Sequence, residues 1–143
     1  MPPSPNSVAP ELIRVIVIED NEDDRILLLR QLKSAHMSEQ IKFIPDGQEA
    51  LDYFQTHTAA LAQSLMVVFL DLKLPSNSGL EVLRKIRTES ALAHIPVIVM
   101  TSSNNPKDLE ACQALHVSKW VEKPITFDTF SRAIADTFHQ HKE

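Results

Sequence analysis

One cysteine and two glycines in 143 residues set the first limits. Cys112 has no partner for an internal disulfide, and a cysteine-rich zinc site cannot be built from it. Average usage would supply roughly ten glycines, so the chain lacks the means to build a Gly-rich phosphate loop of the dinucleotide or Walker type. No apolar run approaches the roughly 20 residues of a membrane span; the longest, such as Leu65 to Leu70, are strand-length. Positive charge is in deficit too, with 14 Lys and Arg against 19 Asp and Glu and a net charge of −5. A broad basic field for nucleic acid or an anionic membrane is thereby excluded. Residues 1–11 carry Pro2, Pro3, Pro5 and Pro10 and lack the apolar core of a secretion signal. They read as a mobile, extended tail, and the cytoplasm is the expected compartment.

What remains is a globular composition, 43% hydrophobic and 23% charged, sized for one domain over residues 12–143. Short apolar runs recur at Leu12–Ile18, Ile41–Ile44, Leu65–Leu70, Pro96–Met100 and Val117–Val121. Most read as strands covered on both faces, while Ile41–Ile44 is weaker and suits a sheet edge. Helical periodicities lie between them. A helix opens near Glu22 and carries Ile26 to Leu32; Leu51 and Phe54 mark a second, after Asp46-Gly47. Leu80, Leu83 and Ile86 form the face of a third; Leu109, Cys112 and Leu115 form that of a fourth. Phe127, Phe130, Ile134 and Phe138 line the last, a stripe suited to core packing. Five strands alternating with five helices predict an α/β fold, a doubly wound parallel sheet with helices on both faces. The irregular stretch Gln55 to Ser64 is expected to prolong the second helix or form a surface loop.

In such folds ligands bind beyond the carboxyl ends of the strands. There the first strand runs into Glu19-Asp20, the third into Asp71, the fourth into Thr101-Ser102 and the fifth into Lys123-Pro124. Three carboxylates at one rim repel one another unless a cation neutralises them. Mg2+ is the expected cation, because it is hard and takes oxygen ligands from carboxylates, water and phosphate. No Cys or His cluster offers a softer site; His94, His116, His139 and His141 read as solvated or packed.

These residues resemble the receiver domains of two-component response regulators, the chemotaxis regulators among them. The resemblance runs from about Ile13 to Thr137 and rests on VIVIEDN, VVFLDLKLPSNSGLEVL, VIVMTSS and KWVEKP, in order at the ends of four strands. It implies a flavodoxin-like sheet of strand order 2-1-3-4-5. It implies that Asp71 accepts a phosphoryl group from a histidine kinase and that Asp20 and Asp71 bind Mg2+ directly. Glu19 would act through water, and the main-chain carbonyl of Lys73 would add a ligand. Thr101, Ser102 and Lys123 would bind the phosphoryl oxygens, Lys123-Pro124 would be a cis peptide, and Thr101 with Trp120 would form the switch. The start of the fourth helix at Asn104-Asn105-Pro106-Lys107, Leu115-His116-Val117 before the fifth strand, and the extra residues Gln55 to Ser64 are similar to small single-domain regulators paired with bacterial phytochrome kinases. Such relatives self-associate through the fourth helix, fifth strand and last helix.

Blander readings compete. Glu19 and Asp20 could cap the first helix, but Asn21, Glu22, Asp23 and Asp24 already supply capping groups. Asp71 could be a turn residue and Trp120 plain packing. A Mg2+-dependent phosphohydrolase of related fold would want a second acid two residues after its nucleophile, where Lys73 stands. A phosphorylation-independent binding module would lack one of Asp20, Asp71, Thr101 or Lys123, and all four are present.

Overall fold

The computed structural model describes residues 9–34, 36, 38–72, 74, 79–101, 106–123 and 125–140, with the backbone alone at 38, 101, 106–109, 139 and 140. Five short strands, β1 (Val15–Ile18), β2 (Ile41–Ile44), β3 (Val67–Asp71), β4 (Val97–Thr101) and β5 (Lys119–Glu122), form one sheet. Its order is β2-β1-β3-β4-β5, every pair is parallel, and β2 lies at an edge as its weaker pattern predicts. Every residue of β1 and β3 is buried, because helices cover both faces.

Strand side chains alternate between two cores. Ile16, Ile18, Val68, Leu70, Val97 and Val99 face one side. There they meet α2 (Gly47–Thr56), α3 (Thr58–Ser64), α4 (Gly79–Thr88) and α5 (Pro106–Ala114) through Phe54, Leu61, Leu83 and Cys112. Val15, Val17, Phe69, Ile98 and Met100 face the other, against Leu28 and Leu32 of α1 (Glu22–Ser34) and Phe130 and Ala133 of α6 (Phe127–Gln140). The rings of Phe69 and Phe130 stack at 4.7 Å, so the aromatic stripe of the last helix is core packing.

Two expectations need correction. The described residues form six α-helices, one more than the five predicted, because Gln55 and Thr56 complete α2 and residues 58–64 then form a helix of their own. At His57 the backbone leaves helical geometry (φ −118°, ψ 26°), and the hydroxyl of Thr58 donates to the Phe54 carbonyl at 2.6 Å. A new helix, α3, then starts and buries Leu61 against the core. Pro10 and Glu11, expected in the tail, belong instead to a turn of the fold. Pro10–Leu12 form a 3-10 turn, held by the Ser64 hydroxyl on the Pro10 carbonyl at 3.0 Å. The first strand accordingly opens at Val15 and not at Leu12.

Glycine scarcity leaves a mark on the helix ends. His36 and His116, just beyond α1 and α5, adopt φ of 58° and 57°, the left-handed region that is usually given to glycine where a helix ends in it. Arg87 of α4 steadies the second of these ends. Its guanidinium donates to the carbonyls of Leu115 (2.8 Å), Ala93 (3.2 Å), Ile95 (2.6 Å) and His116 (3.0 Å).

Candidate acidic phosphoryl site

Parallel register assembles the site. Ile18 pairs with Leu70, so Glu19 and Asp20 leave β1 beside Asp71, the last residue of β3. One oxygen from each of Glu19, Asp20 and Asp71 lies within 4.8 Å of the others. Glu19 and Asp71 are both 3% exposed, whereas Asp20 is open to solvent. Lys123, one residue past β5, reaches across the rim with its Nζ 2.9 Å from Glu19 and 3.0 Å from Asp71.

The start of α1 explains why these acids are free to converge. Asn21 caps the helix through its side chain, accepting from the Asp24 amide at 3.0 Å. Glu19 instead turns inward, accepts from the Asn21 amide at 3.0 Å, and has its carbonyl held by Arg25 at 2.9 Å. Gly79 closes the other side. Its amide donates to the Leu72 carbonyl at 2.9 Å, and a Cβ there would lie 2.5 Å from the Asp71 carbonyl oxygen.

Burial dominates the electrostatics. Desolvation pushes the Glu19 carboxyl up to about 7 against the pull of the Asn21 amide and Lys123, and the neighbouring Asp71 charge adds to the rise. Burial also disfavours the Lys123 ammonium, but hydrogen bonds to Glu19 and Asp71 and their charges outweigh it and hold it above the usual lysine range. Three carboxylates against one ammonium leave a deficit of positive charge at a set of oxygen donors. The residues present therefore fit a hard divalent cation.

The sequence profile of the response regulator receiver domain matches residues 15–135. The chain belongs to this family. The receiver is 32% identical over 122 residues to the probable methanogenesis regulatory protein FilR2 of Methanothrix harundinacea, covering 85% of this chain and 79% of that one. It is 31% identical over 125 residues to the response regulator Rcp1 of Synechocystis, covering 87% and 80%. Among solved structures, the bacteriophytochrome response regulator AtBRR superposes with a TM-score of 0.72 at 37% identity, over 88% of this chain and 93% of that one. An Mn2+-bound form of Rcp1 superposes with a TM-score of 0.68 at 29% identity, over 91% and 96%. Receivers are in general signalling proteins of two-component systems, which take phosphoryl groups from histidine kinases.

Of the residues predicted from sequence, the receiver fold brings Glu19, Asp20, Asp71 and Lys123 together. Thr101 ends β4, its backbone in register with Glu122, and its side chain is outside the described set. Trp120 lies on β5, partly buried against the core that contains Cys112. Lys73, Ser102, the two asparagines before Pro106, and Pro124 with its expected cis bond lie outside the described residues. Sequence reasoning missed Asp24, treated as a cap, whose carboxylate is 3.6 Å from Lys123. Its place five residues after Glu19, in the first turn of a helix rooted at the rim, was the available signal. It also passed over Arg25 and took Gly79 only as a turn residue.

Proposed function

We propose that residues 12–143 form one receiver domain that accepts a phosphoryl group on Asp71 from a phosphohistidine of a sensor histidine kinase. The observation that carries this reading is Lys123, held by Glu19 and Asp71 at once beside the exposed Asp20. In the transfer, a carboxylate oxygen of Asp71 bonds to phosphorus as the P–N bond breaks, and the imidazole leaves with the electron pair and takes up a proton. Glu19, Asp20, Asp71 and the main-chain carbonyl of Lys73 would hold Mg2+, whose charge offsets the repulsion between carboxylate and phosphoryl oxygens. Lys123 exchanges a carboxylate oxygen for a phosphoryl oxygen, a charge-assisted contact made only in the phosphorylated state. Thr101 and Ser102 take the remaining phosphoryl oxygens.

The output is a change in protein contacts and not a reaction on a separate substrate. The catalytic contribution is confined to the domain's own phosphotransfer and slow dephosphorylation. Thr101, drawn to the phosphoryl group, biases Trp120 inward and alters the face of α5, β5 and α6, where a downstream protein or a second copy docks. No helix among the described residues is long and apolar enough to cross a membrane, and we place the protein in the cytoplasm. The likeness to AtBRR supports a kinase of the phytochrome type.

Incubation with acetyl phosphate and Mg2+ should give a phosphate adduct by intact mass, lost in Asp71→Asn and on chelation. A full adduct on Asp71→Asn would overturn the assignment. The single tryptophan, Trp120, should change its emission with beryllium fluoride and Mg2+ in the wild type only. Transfer rates from a panel of purified kinases then identify the donor.

A further inference from the structure

The rim opposite the carboxylates holds a cavity of about 340 Å3. Its floor is made by the opening residues of three adjacent strands, Val15, Ile41 and Val67, which pair in register. Ile134 and Phe138, one turn apart on α6, wall it, and both remain only partly buried. The mouth differs in chemistry. Arg14 and His36 both stand there and both are exposed. The Arg14 guanidinium donates to the Met66 sulfur at 3.7 Å, a weak acceptor for a group with five N–H donors. Among the described residues no carboxylate lies within ion-pair distance of Arg14 or His36.

We propose that this cavity binds a small amphipathic carboxylate, with its apolar body on the strand ends and its carboxylate on Arg14. Apolar lining with a few convergent polar groups is the common makeup of a small-molecule site. A guanidinium whose planar fork meets no oxygen partner among the described residues is matched by a carboxylate, which it binds with two parallel hydrogen bonds. Size narrows the class. At about 340 Å3 the cavity lies at the small end of the range for ligand sites, about 300–1,000 Å3, so the ligand is small. A medium-chain alkyl carboxylate or a phenyl-substituted short one meets that limit. The site is separate from Asp71 and does not depend on the phosphotransfer reading.

Octanoate is the probe, and octanol is its neutral counterpart of similar length. Titrated into the isotopically labelled full chain, octanoate should shift the amide resonances of Val15, Ile41 and Val67. It should bind about tenfold tighter than octanol, the scale of one charge-assisted contact. Arg14→Met keeps an apolar stem and should bring the two affinities together by weakening octanoate alone. Arg14→Gln, a second variant at the same exposed position, should do likewise. Equal affinity of the wild type for octanoate and octanol would overturn the proposal. So would an unchanged preference in both variants, or the absence of shifts at those three amides up to about 10 mM, a concentration that would reveal even very weak binding.

Discussion

Gly79→Ala places a methyl group where the fold has no room. The new Cβ would lie 2.5 Å from the Asp71 carbonyl oxygen and 2.5 Å from the Leu72 Cα. Ordinary contacts of this kind begin near 3.5 Å, so backbone must yield by about 1 Å. Neither neighbour is the free end of a side chain that could swing aside. Overpacking of this kind costs about 1–3 kcal/mol. At this chain length that is a fall in Tm of about 3–10 °C. Helix propensity acts in the opposite direction, since alanine is favoured over glycine within a helix by about 1 kcal/mol. The sign of the Tm change therefore decides between the two effects. The functional consequence follows from where the strain falls. A misplacement of about 1 Å at a reacting group can cost on the order of 100-fold in rate, so acetyl phosphate labelling of Asp71 should slow by up to that factor. Scanning calorimetry and intact-mass kinetics measure the two effects. A raised Tm with an unchanged labelling rate would refute the reasoning.

Three further outcomes are expected. With divalent metal chelated, the Glu19 carboxyl titrates near 7 in the fold against an ordinary 4.5. The folded state thus keeps a proton that the unfolded state releases, and this contribution to stability, a few kcal/mol in scale, is present below about pH 4.5 and lost as pH rises to about 7. Urea titrations across that window should show the loss in the wild type but not in Glu19→Gln; parallel curves would refute it. Lys123→Met leaves Glu19 and Asp71 without their shared cation and should cost about 3 kcal/mol at pH 8 without metal. Added Mg2+ should narrow that gap, and equal metal-free stabilities would remove Lys123 from the role assigned. Arg87→Lys cannot reproduce the donation to four carbonyls and should lose about 2–4 kcal/mol in denaturant unfolding. A change below about 0.5 kcal/mol, the range of ordinary surface substitutions, would contradict that assignment.

The parallel α/β architecture was legible because its cause is local. Runs such as Val67 to Leu70 carry no polar residue, and a strand of that kind is stable only when covered on both faces. The acidic rim was legible for a related reason, since strand ends in such a sheet must emerge at one edge and Glu19, Asp20, Asp71 and Lys123 each follow an apolar run. Other features are set by contacts between segments far apart in the chain. Nothing near Thr58 announced that its hydroxyl and the turn at His57 would divide one helix into two. Asp24 looked like a capping acid until Lys123, 99 positions later, was found 3.6 Å from it. Gly79 reads as an ordinary turn glycine, yet the close approach of the Asp71 carbonyl requires that it have no side chain. The rise of the Glu19 carboxyl to about 7 is likewise invisible in its neighbours, because desolvation comes from the packing around it. Periodicity and strand ends follow from short-range sterics and burial, whereas pair distances, close approaches and the local dielectric exist only once the strands are in register.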